Sequence, residues 1–140
     1  MTLPTSAFRW KLTFDGSSGP VRMLRTRLTT YLAAGALPED VVRAVVLAFG
    51  EALDNACEHG TGGHGTVRVR VRLTPRFVAV QLIDSGSDRV PIGKPLTPDE
   101  EAERGRGFAL MNKLMDSVHV RPSPRGGTRV SMLRWLGRAR

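Results

Sequence analysis

Cysteine occurs once, at Cys57, which excludes an internal disulfide framework and a cysteine-rich zinc module. No uninterrupted apolar run reaches the roughly 18 residues that a membrane-spanning helix needs. The opening MTLPTSAFRWK lacks a charged head followed by an apolar stretch, so no secretory leader is expected and cytoplasm is the expected compartment. A phosphate-binding P-loop is missing too. The one Gly-Lys pair, Gly93-Lys94, is followed by Pro95 instead of Ser or Thr and has no upstream glycine at the right distance. Acid is scarce beside base, 13 against 21, giving +8, and 18 of the 21 basic residues are arginine. Such a balance invites a nucleic-acid reading. Two features weigh against it: aromatics are only 6% and do not interleave with the basic residues, and arginine beside many Ala, Gly and Pro also follows from GC-rich coding.

What is present suffices for one domain over 1–140, with its core from about 8 to 136. A chain of 140 residues at 41% hydrophobic composition can bury a core and leaves little room for a second. Phe8, Trp10, Leu12 and Phe14 alternate with polar residues and predict a half-buried strand. Val21, Leu24, Leu28, Tyr31 and Leu32 then recur at helical spacing until Gly35. Pro38-Glu39-Asp40 opens a longer helix with the stripe Val42, Val45, Val46, Phe49, Leu53 and Ala56, ended by Gly60-Thr61-Gly62-Gly63. Val67, Val69, Val71 and Leu73 alternate with Arg68, Arg70 and Arg72, and Phe77–Ile83 reads as a central strand. Residues 84–106 read as a long loop with one helical turn near Pro98–Glu103, before a third helix through Phe108, Met111 and Met115. Val118–Arg121 and Thr128–Leu136 close the chain as strands. The order is α+β: a mixed, mostly antiparallel sheet with helices on one face.

Three segments hold candidate chemistry. Glu51 and Asn55 lie four apart and share a helix face away from the apolar stripe, and His59 would extend the row at helical spacing. A plain solvated helix face has the same pattern. Asp84-Ser85-Gly86 stands at the end of the most apolar strand, where an acid and a glycine let another molecule approach closely; an ordinary turn reads likewise. Arg104-Gly105-Arg106-Gly107 precedes the third helix, where glycines can turn backbone N–H groups toward an anion. Cys57, His59 and His64 fall close in sequence, but Cys57 and His59 belong to different helix faces, which argues against zinc. The row Arg68, Arg70 and Arg72 reads as a solvated sheet face, or else as a protein or nucleic-acid surface.

Together, in order and spacing, these segments resemble the nucleotide-binding boxes of the GHKL ATPase superfamily. Glu51-Ala52-Leu53-Asp54-Asn55 is similar to its E-x-x-x-N box, Asp84-Ser85-Gly86 to its D-x-G box, and Gly105-Arg106-Gly107-Phe108-Ala109-Leu110 to its G-x-G-x-x-[LM] box. The run Gly107–Asp116 further resembles the matching helix of bacterial anti-sigma factor serine/threonine kinases, and the likeness extends over about residues 8–136.

This resemblance implies the Bergerat fold, a two-layer α+β sandwich, with ATP and Mg²⁺ as cofactors. Asn55 would offer its amide oxygen to the metal, and Glu51 would orient or deprotonate the attacking hydroxyl. Asp84 would accept a hydrogen bond from the adenine amino group, with Gly86 letting the base close in. Gly105 and Gly107 would direct backbone donors at the phosphates, Arg104 and Arg106 belong to a lid beside them, and Thr128 would lie near the adenine. The implied reaction is phosphorylation of a Ser or Thr on an anti-anti-sigma (STAS) partner, by a protein that also binds a sigma factor and forms a homodimer. Two alternatives stand beside it: a nucleotide-binding interaction module with little kinase turnover, and a basic nucleic-acid-binding domain.

Overall fold

Alternation of apolar and polar residues builds the sheet, and its parity decides which face is covered. In the computed structural model, which describes residues 6–15, 19–60, 65–85, 97–124 and 126–137, the strands are β1 (Ser6–Phe14), β2 (Gly65–Leu73), β3 (Phe77–Asp84), β4 (Ser117–Pro122) and β5 (Thr128–Trp135). They lie in the order β1-β2-β3-β5-β4, and all four pairings among the described residues are antiparallel, in keeping with the mostly antiparallel sheet expected. Apolar β3 is central. Val67, Val69, Val71, Val78, Val80, Leu82, Val130 and Met132 form the buried face, while Arg68, Arg70 and Arg72 point away from it into solvent.

Three helices cover that buried face: α1 (Gly19–Ala34), α2 (Glu39–Asn55) and α3 (Pro98–Leu114), with α2 in contact with both others. Leu24, Leu28 and Leu32 of α1 and Val45, Phe49 and Leu53 of α2 are fully buried at i, i+4 and i+8 spacing. Each is worth about 1.5–3 kcal/mol when taken out of water. Glu39 and Asp40 occupy the first turn of α2, where the helix dipole favours acid. Its far end passes into one π-helical turn, Ala56–Gly60, so the α-helical spacing that would align His59 with Asn55 does not continue past Ala56. At the end of α1 the left-handed residue is Ala36, with φ of 58°, and not the glycine before it. Gly35 is small for a different reason: a Cβ there would stand 2.5 Å from Leu73 Cδ2. The β2–β3 hairpin is held by Thr74, whose buried hydroxyl accepts hydrogen bonds from the N–H groups of Arg76 (3.1 Å) and Phe77 (3.0 Å).

The largest departure from the sequence-based expectation is α3. It begins at Pro98, ten residues before Phe108, and runs without a break through Gly105 and Gly107. Proline in the first turn followed by Asp99, Glu100, Glu101 and Glu103 is a strong helix start. That start offsets two interior glycines at about 1 kcal/mol each. Residues 86–96 of the expected loop, Gly86 among them, lie outside the described residues.

Candidate functional site

Gly107 is where α3 meets the polar row of α2. It is buried, and a Cβ at that position would lie 3.1 Å from Glu51 Oε2, 3.5 Å from Asn55 Nδ2 and 3.9 Å from Asn55 Oδ1. A larger residue there would press directly on the two polar side chains. Glu51 and Asn55 are therefore half-buried under α3 instead of standing on an open helix face. Asn55 Nδ2 is buried and has no hydrogen-bond partner among the described residues. A half-turn of the amide exchanges its nitrogen and oxygen, so either atom can take that place. A buried amide oxygen near carboxylates is the kind of donor that a hard divalent cation prefers, and Asn55 with Glu51 fits one.

Beyond Asn55 the row opens into a cavity of about 180 Å³. Asn55, Asp84, Arg104 and Thr128 supply its polar walls, and Leu82, Phe108, Met111 and Val130 supply apolar ones. Asp84 ends β3 with its side chain on the helix side of the sheet, only 4% exposed, and its Oδ1 accepts a hydrogen bond of 3.1 Å from the N–H of Thr128 at the start of β5. Two residues 44 apart in sequence are thus held together at one end of the cavity. The guanidinium of Arg104 lies 5.6 Å from the centre of the Phe108 ring, and its Nε is buried without a hydrogen-bond partner among the described residues. An unpartnered guanidinium nitrogen, a buried carboxylate and a buried amide facing apolar walls can hold a flat polar ring and an anion side by side.

The structure brings Asn55, Asp84, Arg104 and Thr128 to one cavity and sets Glu51 and Gly107 beside it. Gly105 and Arg106 are exposed on α3, away from this lining, with nothing within 4 Å of a Cβ at Gly105. The expected donors of the G-x-G segment sit in the interior of a helix, where N–H groups are directed along the helix axis to preceding carbonyls. Gly86 is outside the described residues.

Sequence reading missed a second close contact on α2. The guanidinium of Arg25 from α1 lies over Gly50, 2.9–3.1 Å from where a Cβ would be, and its Nη2 donates to Asp54 Oδ2 at 3.0 Å. An isolated glycine inside a strongly helical pattern was the available signal. Burial raises the Asp54 pKa above 3.8; Arg25 lowers it and Glu103 adds a smaller upward push, with the upward causes prevailing. Beside it, burial pushes the Cys57 thiol up to about 12, helped by the negative charges of Asp54, Glu58 and Asp84. Such a thiol is a packing group and not a nucleophile.

An antiparallel sheet is backed by three helices, and an amide, a buried aspartate and an arginine of the third helix converge on one cavity between them, an α+β arrangement. The histidine kinase-like ATPase domain matches residues 17–134, and the chain belongs to that family. Its relatives include the anti-sigma F factor of Pasteuria penetrans, 37% identical over 73% of this chain and 65% of that protein. The anti-sigma F factor of Bacillus subtilis (strain 168) is 28% identical over 92% of this chain and 93% of that protein. In three dimensions the chain is similar to the RsbU and RsbW domains of a Mycobacterium tuberculosis protein, with a TM-score of 0.64 at 22% identity. That match covers 91% of this chain, which spans about a third of the solved one, 32%.

Proposed function

We propose that this protein is an ATP-dependent anti-sigma factor kinase, which phosphorylates a Ser or Thr of an anti-anti-sigma (STAS) partner and otherwise holds a sigma factor. The observation that carries this reading is the meeting of Asn55, Asp84, Arg104 and Thr128 around one cavity, with Glu51 one helical turn from Asn55. In this reading Asp84, already oriented by the Thr128 N–H, accepts a hydrogen bond from the adenine amino group. Asn55 holds Mg²⁺ through its amide oxygen, and that ion, when bound, neutralises triphosphate charge. Glu51 orients the partner hydroxyl and takes its proton as the hydroxyl oxygen bonds to the γ-phosphorus. The bond from that phosphorus to the bridging oxygen breaks, and ADP leaves. Arg104 meets phosphate oxygens from the cavity wall, while Arg106 and the backbone donors of Gly105 and Gly107 reach them only once α3 opens.

Small-molecule sites usually measure about 300–1,000 Å³. At about 180 Å³ the cavity accepts an adenine-sized group and not a whole nucleotide. The proposal therefore requires the first half of α3, up to Gly107, to lift or unwind when ATP enters. The same observation favours one rival, a nucleotide-responsive interaction module with little turnover, because Gly107 packs onto the intended base. Incubating the protein with Mg-ATP labelled at the γ-phosphate and a STAS-domain protein separates the two. Label on the STAS protein supports the kinase. Saturable ATP binding without transfer supports the module, and absence of ATP binding refutes both.

A further inference from the structure

The sheet face opposite the helices carries an unusual charge arrangement. Strand register sets Arg9 directly across from Arg70, Lys11 across from Arg68, and Arg121 across from Arg129. Arg72 adds a further cation on β2, its guanidinium 6.0 Å from the Phe77 ring. All strand positions on this face are free of acid; Asp84, the one acidic residue in the five strands, has its side chain on the helix side. Like charges placed directly opposite one another destabilise a sheet pair, so this face carries three unfavourable cross-strand pairs with no carboxylate from the strands to relieve them.

The cations also frame recesses. Arg9, Lys11, Arg68 and Arg70 border a groove of about 370 Å³ with Gln81 and Ile83 along it. Lys11, Arg68 and Arg129 border a wider depression of about 540 Å³ at the start of β2 and the end of β3, where Asp84 is the single acid against three cations. A lining of Gln81, Ile83, Thr66 and Ser85 between rows of guanidinium groups suits side chains that alternate carboxylate with small or apolar groups. Arginines at alternate positions of β2 repeat about every 6.8 Å, the spacing of same-side side chains along an extended partner strand.

We propose that this open face is a docking surface for an acidic polypeptide segment, separate from the nucleotide site and independent of whether that site is catalytic. A second copy of this chain is disfavoured as the occupant, because it would bring the same cations face to face. Nucleic acid is disfavoured because the aromatics of this face stand at one end, Phe77 beside Arg72 with Trp135 opposite it, and do not alternate with the cations of the groove. Phe8, Trp10 and Phe14 share the parity of buried Leu12, and Phe77 and Trp135 pack edge-to-face on each other (5.8 Å) at the far end.

The test is fluorescence anisotropy on the full chain at low salt, with four probes. These are a synthetic peptide alternating Glu and Ala, its Gln-Ala counterpart, a random-sequence single-stranded DNA and a duplex of the same length. The Glu-Ala peptide should bind and the Gln-Ala peptide should not, with affinity falling as salt rises. The triple variant Lys11→Gln, Arg68→Gln, Arg70→Gln should weaken binding about tenfold, as expected for the loss of three exposed charge contacts. Thermal melting checks that this variant folds, and Arg70→Gln alone, losing about twofold, supplies the reading if it does not. A control with equal charge loss on the helices, Arg22→Gln, Arg43→Gln, Lys113→Gln, should lose less than about twofold. Equal losses in the two triples would reduce the effect to net charge and overturn the proposal. Tighter binding of either DNA than of the Glu-Ala peptide would overturn it, as would a dimer that the sheet triple dissociates.

Discussion

Two neighbours on α2 carry the sharpest residue-scale expectations. Asn55→Ala removes the amide that fits the metal, so Mg-dependent ATP affinity itself should fall. Glu51→Gln keeps shape and hydrogen bonding but loses the proton acceptor. Its ATP affinity should hold while transfer drops by about 10²–10⁴-fold. Calorimetric titration followed by a phosphotransfer assay reads both. Equal loss of affinity in the two variants would make Glu51 a metal-supporting group and not the base. Asp54 offers a pH experiment. Its folded-state pKa lies above 3.8, so the folded chain holds that proton more tightly than the unfolded one. The stability this contributes is full at low pH and is lost as pH rises through the window just above 3.8. Asp54→Asn fixes a neutral side chain, so the variant should melt at or above wild type at neutral pH, and the gap should close below pH 3.8. A wild type that melts higher at neutral pH would mean that the Arg25 attraction outweighs burial. At this scale the sequence was most legible where chemistry needs a particular atom. Asn55 and Asp84 stood out by type and position and Thr128 only through the family resemblance, whereas the isolated Gly50 marked a close approach on α2 without naming Arg25, because the helix crossing that brings them together is not a local pattern.

At the scale of elements, α3 decides access to the cavity, and Gly105 is the place to bias it. A Cβ there touches nothing, so Gly105→Ala should stabilise the continuous helix by about 1 kcal/mol. If nucleotide enters only when this stretch opens, apparent ATP affinity should fall by about fivefold as melting temperature rises. Higher stability with unchanged affinity would show that α3 need not open. The strands were legible because period-two alternation, as in Val67–Leu73, is set by the pleat itself and survives any packing. The start of α3 was misread because its signals compete: Gly105 and Gly107 speak for a break, while Pro98 and four acids speak for a helix. Packing of Met111 and Met115 into the core holds the last two turns and tips the balance. The mostly antiparallel character was legible from the order of hairpins and helices, but not that every pair would be so, since the side-chain pattern of a strand does not encode the direction of its neighbour.

For the whole molecule, +8 of net charge and three opposed cation pairs on one sheet face predict that electrolyte stabilises the fold. Melting temperature should climb as sodium chloride is raised from low to moderate concentration, since screening relieves self-repulsion over a Debye length of about 10 Å at 0.1 M. A flat or falling curve would mean that the exposed cations already find anionic company within the fold. The strand order has a consequence for how the chain comes into being. β5 is made after β4 yet lies between β3 and β4, and β4 pairs with β5 alone. Until β5 emerges, β4 has no partner and β3, the most apolar strand, shows a bare hydrogen-bonding edge. Nor can Asp84 meet Thr128 before then, so no nascent fragment can assemble the cavity. A growing or truncated chain would therefore be both ligand-blind and prone to edge-to-edge aggregation, and the final strand covers the β3 edge and completes the five-stranded sheet in a single late step.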